Sequence, residues 1–502
     1  MTPTLSRRLF TVAGLAASAS LFSQPVQAAE QTLIVGLQAD PVTLDPALMA
    51  SYFEVAVQFN LHEPLVHLRP DLTVEAGLAS FVVRDALHYD FALRPDLTFH
   101  DGTPIDAVAV KFNLDRLLDP ETASPRRAEL APVAGVAVTG PLTFSITLTS
   151  PYVPLLQVLA LRAGMLVSPT ALRALGPEFG FRAVGAGPFR LISWAKNSEL
   201  VLERFSGYWR GPAVLDKVVF RPIADETVRL ANLRAGTVQL IDAVPPQDVG
   251  AVQANPTLRL RHRPSLGFSA FSFNTRQAPF SDQRVRQAFA QAIDLDVILR
   301  VAYFGQGVVA AGAVSPSVSW AHDPGLVPWP TDPAASARLL AEAGVAVPVP
   351  VTITVTNAAI QLRIAQIIQA QAQAAGFAVT LNQVDTTSLI TELRKGTFDL
   401  CFSPWSGRAD PDGNMFGWFT KDGPQNFSGY DNPEVAAILQ DARSETDQPK
   451  RAALYIEAQR RIALDEPLLF LVFPKIIQAA VAGLTWEQFA GGGFRLHAAS
   501  FA

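Results

Sequence analysis

The sequence predicts an α/β protein with more than one hydrophobic core. Its 502 residues are 49% hydrophobic and 17% charged, a globular composition long enough to bury several cores. The stretch 351–402 alternates strand and helix patterns, as a parallel sheet requires. The stretch 89–118 predicts a separate unit of strand, tight turn and helix. These observations indicate the fold class and the two regions in which the helix and strand patterns are most distinct.

The unit at 89–118 is built from local signals. Asp101-Gly102 indicates a turn, and Asp106 can cap the helix that follows. The preceding strand is predicted by the alternating residues Tyr89, Phe91 and Leu93. The helix has one apolar face, formed by Ala107, Val110, Leu114 and Leu117. This unit has no chemistry of its own, but its residue order is distinctive.

The order Phe-His-Asp-Gly-Thr-Pro at 99–104, followed by the acidic cap and Val110-Lys111-Phe112, resembles the signature of the peptide/nickel-type (family 5) extracellular solute-binding proteins of bacterial ABC importers. Other segments are similar to that family: Leu44-Asp45-Pro46, Glu63-Pro64-Leu65, the turn 184–189 and Tyr208-Trp209. The resemblance implies a two-lobed periplasmic binding protein fold, with two crossing segments and an extra subdomain in lobe one.

The resemblance also implies the domain boundaries. Lobe one would comprise 29–266, with an inserted subdomain at about 50–180, and the C-terminal return 478–502. Lobe two would comprise 267–477. The chain would cross between the lobes at 268–274 and return at 468–477.

The first 28 residues have the pattern of an export signal. Arg7 and Arg8 precede the apolar run Leu9 to Phe22, and small residues follow at 26–29. The paired arginines favour a twin-arginine signal, and an ordinary Sec signal is the alternative. Since no cysteine lies near the cleavage pattern, we expect a protein free in the periplasm without a lipid anchor. Two later apolar runs fall short of membrane spans because Arg162 and Lys475 interrupt them.

The predicted parallel sheet of the second lobe indicates where a ligand would bind. Strands at 351–355, 377–381 and 398–402 are separated by helical patterns, which favours right-handed crossovers. Ligands bind outside the carboxyl ends of such strands. The loops at this edge contain Asn357, then Thr386 and Thr387, then the segment 403–414. The first two loops also open helices, whose N-termini favour negative groups.

The segment 403–414 carries the main candidates, Trp405, Arg408 and Asp410. It resembles the family's Trp-x-x-Asp-x-x-Asp-Pro region, in which an aspartate of peptide binders pairs with the amine of the substrate. Arg408 stands at or near that position, so a carboxylate partner is expected instead. Trp405 can stack on the ligand or on the guanidinium. Asp410 can orient Arg408 or bind an amine, and a surface ion pair between Arg408 and Asp410 is the alternative.

Three further residues complete the candidate site. The resemblance places Tyr52 and Phe53 at the cleft, whereas an apolar helix core would explain them equally well. Arg363 opens the helix after the first loop and is a second candidate for a ligand carboxylate. An exposed helix charge without function is the alternative.

These features predict a non-enzymatic, monomeric binding component that delivers a peptide-like, carboxylate-bearing solute to ABC permease subunits with separate ATPase subunits. A net charge of -5 without a Lys/Arg run argues against nucleic acid. No cofactor or metal is expected. A nickel-chelate or haem carrier is the alternative, although none of the seven histidines shows His-x-x-x-His spacing. A secreted hydrolase is disfavoured because the usual nucleophile and zinc motifs are missing. The lone Cys401 lies in an apolar run and is expected to be a buried thiol.

Overall fold

A computed structural model describes residues 30–49, 54–489 and 491–502. The predicted signal segment 1–28 lies outside these residues, as do Tyr52 and Phe53. Within the described ranges, no helix is both long and apolar enough to cross a membrane.

The elements before residue 265 are mostly short strands and short helices. The strands are β1 (Thr32–Leu37), β2 (Val66–Leu68), β3 (Val74–Ala76), β4 (Ala79–Val83), β5 (His88–Leu93), β6 (Val133–Gly140), β7 (Thr143–Leu148), β8 (Phe189–Ala195), β9 (Glu199–Arg204), β10 (Lys217–Pro222), β11 (Leu240–Ile241) and β12 (Leu258–Pro264). The helices are α1 (Val55–Leu61), α2 (Ala107–Leu118), α3 (Leu155–Leu159), α4 (Pro169–Leu175), α5 (Glu226–Arg234) and α6 (Val249–Gln253).

The elements after residue 265 include longer helices. The strands are β13 (Ser269–Phe273), β14 (Gly307–Val309), β15 (Val349–Thr356), β16 (Phe377–Val384), β17 (Leu400–Phe402), β18 (Leu468–Val481), β19 (Leu484–Gln488) and β20 (Phe494–Phe501). The helices are α7 (Gln283–Gln291), α8 (Leu295–Val301), α9 (Pro333–Ala343), α10 (Ala359–Ala374), α11 (Thr386–Lys395), α12 (Asp412–Phe419), α13 (Pro433–Ser444) and α14 (Gln448–Asp465).

Among the described residues, twelve strands form one mixed sheet, in the order β16-β15-β17-β13-β18-β11-β1-β10-β9-β8, with β12 and β14 also paired to β18. Strand β15 pairs in parallel with both β16 and β17, which confirms the strand–helix–strand prediction for this region. A separate antiparallel sheet, β4-β5-β7-β6, contains the strand predicted from Tyr89, Phe91 and Leu93.

Strand β18 joins the two parts of the large sheet. Its first half pairs antiparallel with β13 and β14, and its second half pairs with β11 and β12. The exchange of partners occurs beside Pro474, whose carbonyl accepts a hydrogen bond from the Ser265 N–H (2.9 Å). One strand therefore contributes backbone to both parts of the sheet.

Local capping explains why several helices begin and end where the sequence predicts. The Asp106 carboxylate accepts a hydrogen bond from the Ala109 N–H (2.7 Å) at the start of α2. Asp332 caps α9 in the same way, and Gly344 ends that helix in the left-handed conformation (φ 69°). Asp385 caps α11, which fixes the loop that precedes Thr386.

Two large cores surround the site region. One lies under the parallel strands, and Cys401 is fully buried in it, where burial raises the pKa of its thiol. The other combines residues of the β4–β7 region with residues of α12–α14, including the fully buried side chains Trp418 and Tyr455. Segments far apart in sequence therefore share apolar contacts beside the loop that carries Arg408.

Candidate functional site

A cavity of about 930 Å³ lies where several strands of the large sheet end. Gln38 and Asp242 follow β1 and β11, and Thr356 ends β15. Thr386 follows β16, and Ser403 follows β17. Each of these residues lines the cavity at the carboxyl end of its strand, as expected for a ligand site in an open α/β sheet.

The cavity wall combines large apolar side chains with amides. Its aromatic members are Tyr303, Phe402, Trp405, Trp418 and Phe427. Its amide side chains are Gln38, Gln306, Gln361 and Gln425. Apolar surface with a few converging polar groups is typical of small-molecule sites. This wall suits an organic solute with both apolar parts and amide groups.

The loop carrying Trp405 is held by backbone contacts with Phe268, the residue directly before β13. Trp405 and Phe268 exchange two backbone hydrogen bonds (2.9 and 3.1 Å). Gly267 allows this approach, since a Cβ there would lie 1.8 Å from the Trp405 carbonyl oxygen. Gly407 makes the next bend with φ 80°. The position of Trp405 on the cavity wall is thus set by close backbone packing.

Asn414 fixes the remainder of this loop. Its Oδ1 accepts hydrogen bonds from Trp405 Nε1 (2.9 Å) and the Arg408 N–H (2.7 Å), and its Nδ2 donates to the Arg408 carbonyl (3.0 Å). The side chain is fully buried. Sequence reasoning missed this role, because nothing local distinguishes a loop-ordering asparagine from an ordinary turn residue.

Arg408 lies beside the cavity with its guanidinium over the Trp405 ring, 4.5 Å from the ring centroid. Its Nε and Nη2 donate to Glu129 Oε1 (3.1 and 3.0 Å). Glu129 belongs to the 3-10 turn Arg127–Leu130 and also accepts from Arg126 Nη1 (2.8 Å). The alternative of a surface ion pair between Arg408 and Asp410 is therefore wrong.

Asp410 has a different partner because its side chain points into the core. Arg451 Nη1 and Nη2 donate to its two carboxylate oxygens at 2.7 Å each, and both side chains are almost fully buried. Tyr455 accepts a further hydrogen bond from Arg451 (3.0 Å). In this structure Asp410 holds Arg451 and does not orient Arg408.

Three arginines surround Glu129, and we call Arg126, Arg162, Arg408 and Glu129 the arginine cluster. Burial would raise the pKa of the Glu129 carboxyl, but Arg408, Arg126 and Arg162 outweigh it and hold that pKa below its usual value. Burial, with Arg408 and Arg126, lowers the pKa of Arg162 to about 9. Within the described residues, the Arg162 guanidinium has no hydrogen-bonding partner. The cluster carries more positive than negative charge.

A more distant carboxylate offsets only part of this excess, because three guanidinium groups then face two carboxylates. Glu54 attracts Arg126 and Arg162, and it also accepts the backbone N–H groups of Val42 (2.9 Å) and Thr43 (3.1 Å). A positively charged cluster beside a solute-sized cavity can stabilise an anionic group of a ligand.

The other candidates are distributed as follows. Trp405 and Thr386 line the cavity. Asn357 and Thr387 are exposed on the same edge without forming part of its wall. Arg363 lies over the Phe304 ring, 5.3 Å from its centroid. Within the part of the chain that the structure describes, no three His, Cys, Asp or Glu side chains are grouped to hold a metal ion.

A two-lobed α/β fold with a solute-sized cavity at the strand ends is typical of a solute-binding protein. The chain belongs to the bacterial extracellular solute-binding proteins, family 5, whose model matches residues 46–427. It is therefore the solute-binding component of an ABC importer, and the resemblance of the 99–112 segment to that family is confirmed.

Its similar relatives include the glutathione-binding protein GsiB of Pectobacterium atrosepticum, 31% identical over 496 residues, with 96% of each chain covered. GsiB of Salmonella paratyphi A is also 31% identical, over 499 residues, with 97% of this chain and 96% of the relative covered.

Solved structures agree in fold. DppA of Helicobacter pylori in complex with the peptide STSA is 25% identical, with a TM-score of 0.83, and the match covers 94% of this chain and 98% of DppA. AgaA of A. tumefaciens R10 in complex with agropinic acid is 26% identical, with a TM-score of 0.82, covering 94% and 99%. These matches confirm the two-lobed fold predicted from the sequence.

Proposed function

We propose that this protein captures a small peptide-like solute bearing at least one carboxylate, and that the solute binds in the 930 Å³ cavity. The observation that supports this most directly is the positive excess of the arginine cluster, which adjoins the cavity through Trp405. The family resemblance adds that peptide binders carry an aspartate for the substrate amine where this chain has Arg408. The reversed charge favours an acidic group of the solute at this position.

The cavity has the size and wall for such a solute. Small-molecule sites span about 300–1,000 Å³, and this cavity lies near the upper end of that range. Glutathione is a tripeptide with two carboxylates, and the curated relatives are named for binding it. We therefore take glutathione as the first candidate solute.

Site residues divide by role in this proposal. Arg408 and Trp405 contact the solute, with Thr386 on the wall. Asn357, Thr387 and Arg363 lie on the same side and would contact a solute that reaches the cavity mouth, where Tyr52 and Phe53 are also proposed to contribute. Asp410 supports the loop through Arg451.

The lobes would close over the solute. With lobe one at 29–266 and 478–502, and lobe two at 267–477, the bond between Arg408 and Glu129 joins residues of both. Closure raises affinity because both lobes then contact one ligand and exclude water. The bound protein would deliver the solute to permease subunits served by separate ATPase subunits. We further propose export to the periplasm by a twin-arginine signal at 1–28.

Native mass spectrometry of the protein purified without denaturation, followed by calorimetric titration, tests the proposal. We expect a co-purified or added solute with a carboxylate, with glutathione and the tetrapeptide Ser-Thr-Ser-Ala as defined probes. A co-purified solute without any anionic group, together with no binding of either probe, would overturn the proposal. Bound nickel or haem in the same spectra would support the alternative carrier function.

A further inference from the structure

Lys475 is an unusual residue for its position. It lies within β18 between the buried runs 468–473 and 477–480, and its side chain is half-buried, as are those of Pro474 and Ile476. Its backbone N–H donates to the Gln306 carbonyl (3.2 Å), and its Cα lies opposite Pro264 of β12. The side chain forms part of the wall of the 930 Å³ cavity. An aliphatic residue at this position would form the same backbone contacts and pack equally well in the strand, so packing does not explain a lysine here.

The Lys475 ammonium has no partner among the described residues. No hydrogen bond or ion pair joins its Nζ to a carboxylate or a carbonyl. An ammonium donates up to three hydrogen bonds and is costly to withdraw from water without an acceptor. In the free protein, water in the cavity can supply those acceptors, and a ligand that displaces the water must replace them.

The carboxylates on the cavity wall are engaged elsewhere. Asp242 lies 3.5 Å from Arg229 Nε and accepts the Gln38 N–H (3.0 Å). Glu226 is exposed and accepts from Gln247 Nε2 (3.1 Å). Arg394, at the exposed end of α11, adds a second wall cation that pairs with no acidic side chain of the described chain. The wall therefore has three cationic side chains (Arg229, Arg394 and Lys475) against two carboxylates (Asp242 and Glu226), an excess of one positive charge.

We propose that Lys475 is a second anion-binding position, at which its ammonium donates hydrogen bonds to a carboxylate of the solute. This inference rests on the proposed function and extends it. With one carboxylate at the arginine cluster and another at Lys475, the preferred solute is a small peptide-like dicarboxylate. Its apolar and amide parts lie against the aromatic rings and glutamines of the wall.

The test uses the exported protein, glutathione, and the two monoamides in which one or the other glutathione carboxyl is a carboxamide. Lys475→Met keeps side-chain length and removes the charge. Lys450→Met is the matched control, since Lys450 is exposed in the first turn of α14 and outside the cavity wall. Affinities are measured by calorimetry and folding by thermal melts.

We expect Lys475→Met to weaken glutathione binding at least about tenfold, with Lys450→Met and the melting temperatures nearly unchanged. One monoamide should bind the wild-type protein with a similar loss, and that loss should vanish in Lys475→Met, as a double-mutant cycle requires for a direct contact. Equal losses for all three ligands, or no loss at all, would refute the inference.

The outcomes separate this inference from the proposed function. If the wild-type protein binds Ser-Thr-Ser-Ala as tightly as glutathione, and Lys475→Met changes neither, a single carboxylate suffices and only the second position is refuted. If the wild-type protein binds none of these probes and co-purifies with a solute that has no anionic group, the proposed function fails, and the Lys475 position fails with it.

Discussion

Replacing Arg408 by alanine should weaken binding of a carboxylate solute while leaving the fold largely intact. The half-buried Glu129 carboxylate would keep its hydrogen bond from Arg126 (2.8 Å), so it would not be left without a partner. We therefore expect a loss of stability of about 1.5–3 kcal/mol, the range for a hydrogen bond to a charged group. Loss of one member of a buried charge pair costs about 2–5 kcal/mol of binding free energy. The lower end applies because Arg126 and Arg162 remain, which corresponds to roughly a thirtyfold loss of affinity.

The assay is calorimetric titration with glutathione, accompanied by denaturant unfolding of the free variants. Arg338→Ala is the control, since Arg338 is exposed on α9 and does not line the cavity. Arg408→Lys should recover only part of the affinity, because an ammonium cannot reproduce the planar guanidinium that lies over Trp405 and donates twice to Glu129.

Two results would refute the reasoning. Unchanged glutathione affinity in Arg408→Ala would limit Arg408 to supporting its own loop. A fall in unfolding free energy of more than about 3 kcal/mol would instead show that the pair with Glu129 is chiefly a structural ion pair, in the range found when a buried pair is broken.

Three further outcomes are expected. Asp410→Asn should destabilise the protein by about 3–5 kcal/mol in denaturant unfolding, because the buried Arg451 loses its charged partner, and a change below about 1 kcal/mol would contradict this. Burial raises the pKa of Glu466 from 4.5 to about 8, so its neutral form is favoured in the fold and stability is lost as pH rises between those values. Glu466→Gln should flatten that fall in melts at pH 5 and pH 8.5, and parallel curves would assign the fall to other groups. Changing Arg7 and Arg8 to lysine should block export, and normal periplasmic levels in cell fractionation would indicate a Sec signal.

Features set by nearby residues were predictable from the sequence. The Asp106 cap, the Gly344 helix end and the parallel pairing of β15 with β16 all follow from local periodicity and turn chemistry. The partner of Arg408 was not predictable in this way, because Glu129 lies 279 residues away. A local pair with Asp410 was the natural alternative, but Arg451, 41 residues further on, takes both Asp410 oxygens.

The sequence did carry a signal for two residues that local reasoning missed. Arg162 and Lys475 each interrupt an apolar run, a pattern that by itself indicates only that neither run spans a membrane. In the structure, neither side chain forms a hydrogen bond or a close ion pair with another described residue. A single charge inside an apolar run therefore indicates a position that an apolar side chain could have occupied. The role of that charged side chain can be inferred only when the fold shows which cavity or cluster lies beside it.

The exchange of partners along β18 has a mechanical consequence. Pro474 has no amide hydrogen, so β18 donates no backbone hydrogen bond at the residue where β12 gives way to β13. A sheet bends more readily where a backbone donor is missing, and Lys475 is the residue that follows Pro474. An atom near the axis of such a bend moves little when the two parts of the sheet tilt against each other. If the two proposed lobes tilt about this part of β18, an anion held by Lys475 would move little relative to the sheet as the protein opens.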